Sequence, residues 1–131
     1  MNESDEVAAL RAKANAGHAS AQFHLGYAYA SGQGVPQDDV QAMSWYLQSA
    51  EQGHADAQYN LGNAYSNGQG VPQDYVESHK WRNLAASRAS AENQMRYAES
   101  RDFLASLMTP QQIADAQQRA TDWLAAFEQR N

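Results

Sequence analysis

The chain has 131 residues, 15 acids against nine lysines and arginines for a net charge of −6, and no cysteine. That length suits one domain able to bury its own core, and the lack of cysteine removes disulfide scaffolds, thiol catalysis, zinc fingers and iron–sulfur sites. The acidity is uneven, with seven acids and two bases in residues 1–72, so nucleic acid and anionic membrane, which both need a positive face, are not expected partners.

The opening stretch, Met1-Asn2-Glu3-Ser4-Asp5-Glu6, is acidic where a secretory signal is basic and then apolar, and no run approaches the ~20 apolar residues of a membrane span. The chain as written is therefore expected in the cytoplasm, or in the periplasm or outside the cell if a signal has been removed. Residues 5–16 predict a helix with Val7, Leu10 and Ala14 facing inward, stopped by Gly17. Residues 17–50 then align on 53–86 at a shift of 36, with 19 identical pairs among 34. A repeat of that period belongs to helical solenoids.

Each unit predicts two helices. The first covers 19–31 and 55–67, with Ala21, Leu25, Ala28 and Tyr29 on one face. Gly26 and Gly62 lie mid-helix, where glycine costs about 1 kcal/mol against alanine, so a neighbouring helix backbone is expected to pass close by. Gly32 and Gly68 are placed to end these helices in the left-handed conformation. The connector Gly-Gln-Gly-Val-Pro-Gln-Asp follows at 32–38 and 68–74. It lacks the Lys-Ser/Thr ending of a phosphate loop and reads as a helix-to-helix link. Asp38 and Asp74 are the expected N-caps of the second helices, with Gln41 and Glu77 completing capping boxes. In the first unit Val40, Met43, Tyr46, Leu47 and Ala50 form the expected buried face, and Trp45 recurs as Trp81.

After Arg88 the repeat decays. The chain thus divides into a partial leading helix (5–16), repeat one (17–52), repeat two (53–88), a degenerate third repeat helix (89–107) and a C-terminal capping helix (109–129). Thr109, Pro110 and Gln112 supply the N-cap, N1 and N3 residues of that last helix. Ile113, Ala116, Ala120, Trp123, Leu124 and Phe127 form its apolar stripe, with Gln111, Asp115, Gln118, Arg119 and Asp122 outward. The expected fold is all-α, an α/α superhelix or right-handed solenoid of antiparallel helix pairs, with about seven helices.

The pattern Ala-x-Ala-Gln-x-x-Leu-Gly-x-x-Tyr, then Gly-x-Gly-Val-x-x-Asp, then Trp, a closing Ala and Gly-His resembles the Sel-1-like repeat family, relatives of the tetratricopeptide repeats. Residues 17–53 and 53–89 carry it in full, and residues 5–16 and 90–106 in part. The resemblance implies an adaptor or scaffold that binds a partner protein or peptide on its concave face. A cysteine-rich branch of the family is linked to β-lactam or cell-wall-ligand binding and hydrolysis, and this cysteine-free chain matches that branch poorly. End-to-end self-assembly of a structural unit is a further alternative, opposed by the polar face of the last helix.

Stacked first helices line the concavity of such superhelices. The positions pointing away from their core stripe are Ser20, Phe23 and Tyr27, then Asp56, Tyr59, Asn63 and Asn67, then Glu92, Met95 and Glu99. These are the candidate partner-binding residues. Phe23 and Tyr59, which align, are either exposed anchors or packing between neighbouring helices. Asp56, Glu92 and Glu99 favour a neutral or basic partner, bound by a monomer or weak homo-oligomer. Lys80, Arg82, Arg88, Arg96 and Arg101 lie among acids and are expected to form internal ion pairs. His18, His24, His54 and His79 show no metal-ligand spacing, with His18 and His54 equivalent in inter-helix turns. No nucleophile motif occurs. The expectation is a non-enzyme with no catalytic residue, metal or cofactor.

Overall fold

In a computed structural model that describes residues 3–130, the chain is all-α, and the described residues form seven helices. They are α1 (Asp5–Asn15), α2 (Ala19–Ser31), α3 (Asp39–Glu51), α4 (Ala55–Asn67), α5 (Tyr75–Arg88), α6 (Ala91–Ala105) and α7 (Pro110–Arg130). Met1 and Asn2, which open the acidic N-terminal stretch, and Asn131 lie outside the described residues. From α1 to α6 each helix packs on the next, as in a solenoid, and α7 packs mainly along α5.

The repeated residues act as joints. Gly32 and Gly68 end α2 and α4 with φ of 73° and 69°, and Asp38 and Asp74 accept from the Gln41 and Glu77 amides at 3.1 Å. The capping boxes stay half-formed for a physical reason: the Asp38 and Asp74 N–H groups already donate to the Tyr29 and Tyr65 carbonyls at 3.0 and 2.9 Å, closing each connector on its own unit. Glu77 turns its carboxylate to Arg119 and Lys80 instead. Among the described residues the reciprocal box is complete only at α7, where Thr109 and Gln112 exchange bonds of 2.9 and 3.1 Å. Gln22 and Gln58, both buried, donate to Ala14 and Ala50 carbonyls at 3.1 Å, pinning α2 and α4 to the ends of the preceding helices.

Leu25, Ala21, Ala28 and Val35 pack with Val7 and Ala14 around α1 and α2, while Met43, Tyr46, Leu61, Trp81 and Leu84 form the central core. Val40 and Leu47 depart from the expected buried face, being 68% and 42% exposed. Burial on α3 falls on Ala42, Met43, Tyr46, Ser49 and Ala50, a narrower arc that leaves 40 and 47 on the outer side. Val76, the counterpart of Val40, is half-buried because Leu104, Met108 and Ala116 cover it, and among the described residues no helix does this in the first unit.

Candidate functional site

Between α2 and α4, with α3 as its floor, lies a pocket of ≈ 170 Å³. Ala30, Ala42, Met43, Ala64 and the ring of Tyr46 make its apolar part, and Asp39, Asn60, Asn63 and Gln69 its polar part. Gly26 lets the floor rise: a Cβ there would meet Tyr46 Cδ1 at 2.8 Å and the Ala42 carbonyl at 3.2 Å. The close neighbour is thus first an aromatic side chain and only then a backbone. Burial pushes the Tyr46 phenol above its ordinary value, opposed by a hydrogen bond with Asn60 and aided by nearby Tyr27. Asp39 begins α3 and is half-buried, yet among the described residues nothing donates to its carboxylate.

The predicted site residues divide among several roles. Asn63 lines the pocket, and Tyr27, 49% exposed, stands beside its tyrosine floor. Phe23 and Tyr59 are half-buried and pack between helices: Phe23 stacks on His54 at 4.9 Å, and Tyr59 on Tyr97 at 4.1 Å. Asp56 accepts from the Tyr97 hydroxyl at 2.6 Å, and Tyr97 is pushed up to about 12 by burial and by this bond. Its charge is therefore engaged inside the fold. Ser20 is exposed beside Leu10, Lys13 and His18 in a separate shallow hollow. Asn67 is exposed at the end of α4, and Glu92, Met95 and Glu99 are exposed on α6. Met95 borders another hollow with Asn83, Ala86 and Arg101, away from the pocket.

His18 and His54 hold the same backbone position but differ in use. His54 Nδ1 accepts from the Ala57 amide at 3.2 Å, whereas His18 is exposed and makes no cap bond. Burial lowers the His54 pKa, with His24 adding to that and Asp56 opposing it. The basic residues bond mostly to neutral groups. Lys80 pairs with Glu77 at 3.5 Å and Arg101 with Asp102 at 2.9 Å. Arg88 donates to the Gly53 carbonyl, and Arg96 lies over Tyr97 at 5.1 Å. Arg82, 8% exposed, reaches Ser66 Oγ at 2.7 Å and the Ser100 carbonyl and hydroxyl at 3.0 Å. Arg82 is the repeat counterpart of Tyr46, and it bridges α4 and α6 across the position where the first unit leaves its pocket.

Sequence reasoning missed Asp39, Met43, Tyr46, Asn60 and Gln69 as site residues. A signal was present. All pocket residues except Ala64 and Gln69 differ from their partners at the 36-residue shift, while the framework residues are identical. Among the described residues no cluster of His, Asp and Glu could hold a metal ion, and no helix is long and apolar enough to cross a membrane.

The Sel1 repeat profile matches residues 19–54 and 55–90. A protective antigen of uropathogenic Escherichia coli strains with an SLR fold superposes with a TM-score of 0.85 at 32% identity, over 92% of this chain and 25% of the antigen. This chain therefore spans about a quarter of that protein. A Sel1 repeat protein from Oxalobacter formigenes superposes with a TM-score of 0.63 at 38% identity, over 69% of this chain and 68% of the other. No curated protein matches the chain.

Proposed function

Because the chain belongs to the Sel1 repeat family, whose members are in general protein-interaction modules, we propose that it is an adaptor or scaffold whose partner docks across α2 and α4. The observation that carries this reading is the pocket itself. It combines an apolar floor with the Asn63 and Gln69 carboxamides and the Asp39 carboxylate, which the fold leaves unused, and a peptide anchor site is built in that way. The partner is a protein or peptide of neutral or basic character, and the chain acts without catalysis. Glu92 and Glu99 add negative charge on α6, and the net charge of −6 speaks against nucleic acid.

The test is capture of partners on the immobilised protein beside a Tyr27→Ala, Asn63→Ala variant. Both side chains are outside the core, so the variant should keep its fold. A partner held by the parent and lost by the variant supports docking on this face, and equal capture moves the site elsewhere. A second reading, weak self-assembly, is favoured by Met95, Phe103 and Leu107, which are 72%, 69% and 56% exposed on and just beyond α6. Light scattering over a concentration series decides it.

A further inference from the structure

We infer that the α2–α4 pocket is a receptor for one lysine side chain of the partner, with Asp39 as its charge partner; this rests on the reading that a peptide docks on this face. The stem of a lysine is apolar and its tip is a compact cation with three donors. The pocket offers the matching parts. Met43 and Tyr46 supply the apolar floor, and Asp39, the one acid among the lining residues, supplies the charge. The Asn63 and Gln69 side chains line the same space and have no hydrogen-bond partner among the described residues.

The acceptors come from three elements: α3, α4 and the connector at 68–74. A point charge with rotatable donors suits that arrangement better than the planar fork of arginine. Asp39 sits in the first turn of α3, where a negative charge is favoured by the helix dipole. That accounts for an acid, but not for its half-burial beside unpaired carboxamides. Asp56, the other acid of the first two units' inner face, is already bonded to Tyr97. The second unit carries no copy of the site: Tyr75 replaces Asp39, Arg82 replaces Tyr46, and the buried guanidinium fills the gap with its own positive charge. The receptor is therefore single.

The experiment is an NMR titration of the ¹⁵N-labelled full chain with three blocked tripeptides, acetyl-Ala-X-Ala-amide, in which X is lysine, norleucine or arginine. Peptide is added to about 20 mM, where a millimolar site saturates. The Asn60, Asn63 and Gln69 side-chain amides report on the pocket. The lysine peptide is expected to shift these signals, and norleucine, which keeps the stem without the ammonium, to bind about tenfold more weakly, the size of one charge-assisted hydrogen bond. Asp39→Asn should weaken the lysine peptide alone by the same factor, and α3 keeps Asp38 as its cap in that variant. Equal binding of lysine and norleucine, stronger binding of arginine, or indifference to Asp39→Asn overturns the inference while leaving peptide docking standing. Silence of all three amides overturns the pocket as a receptor, whereas failure of the adaptor reading shows separately as partner capture that ignores Tyr27 and Asn63.

Discussion

Gly26→Ala isolates the contact that shapes the floor of the pocket. The added methyl would sit 2.8 and 2.9 Å from Cδ1 and Cε1 of Tyr46 and 3.2 Å from the Ala42 carbonyl oxygen. Tyr46 is 5% exposed and its ring lies 5.9 Å from that of Phe23, so it can yield only toward the pocket that it floors. Removing a mid-helix glycine gains about 1 kcal/mol of helix propensity. Forcing a methyl against a buried ring and a helix carbonyl costs up to about 3 kcal/mol, since ring and helix must both move. The net expectation is a loss of up to about 2 kcal/mol, or up to roughly 8 °C in Tm for a domain of this size. Urea denaturation followed by far-ultraviolet circular dichroism measures it, with an unchanged m-value as the sign that only stability has moved. An unchanged or raised midpoint would refute the claim that α2 and α3 are spaced by the missing side chain.

Three further outcomes are expected. Tyr97→Phe removes the donor to Asp56 and should cost about 1–3 kcal/mol by leaving a half-buried carboxylate short of a partner; an Asp56→Asn, Tyr97→Phe double variant should lose less than the sum, and strict additivity would deny the bond. Trp123→Ala removes a side chain that packs edge-on against Trp81, stacks on Phe127 and donates to Glu51, and should cost about 3–5 kcal/mol in the same denaturation assay. Burial lowers His54 and His79 below their ordinary 6.5, with Arg101 and Arg82 adding to the effect at His79 and Asp102 opposing it. The folded state then binds fewer protons than the unfolded, so stability is full above about pH 6.5 and falls as the pH drops through the lowered folded values. His54→Asn keeps a capping side chain without a titration, and should flatten the stability slope between pH 7 and 5; an identical slope would place the proton uptake elsewhere.

What could be read from the sequence follows from locality. Gly32, Asp38 and their copies act on backbone groups within their own unit, so the connector and helix ends are legible from the residues that make them. Facing is set by neighbours. Val40 and Val76 are the same residue in the same register, and only the second is covered, by side chains 28 or more positions further along the chain. Asp56 looks like a free groove charge until Tyr97, 41 residues away, is placed against it. The pocket eluded the reading because its residues come from second-helix positions 39, 42, 43 and 46 as well as from the first helices. A search limited to the outward positions of the first helices finds only Asn63 there and passes over Asn60 on the same helix.

The reach of α7 changes how the molecule should come apart. A solenoid held only by neighbouring repeats is a one-dimensional chain that can fray from either end. Here Trp123 and Arg130 bond to Glu51 across 72 and 79 residues, and the Arg88 guanidinium lies over Phe127. The last helix thus clasps the first repeat as well as the second. Loss of the C-terminal segment would strip contacts from both units at once, so melting should proceed as one cooperative event, and folding must await the closure of a long loop before the central core is sealed.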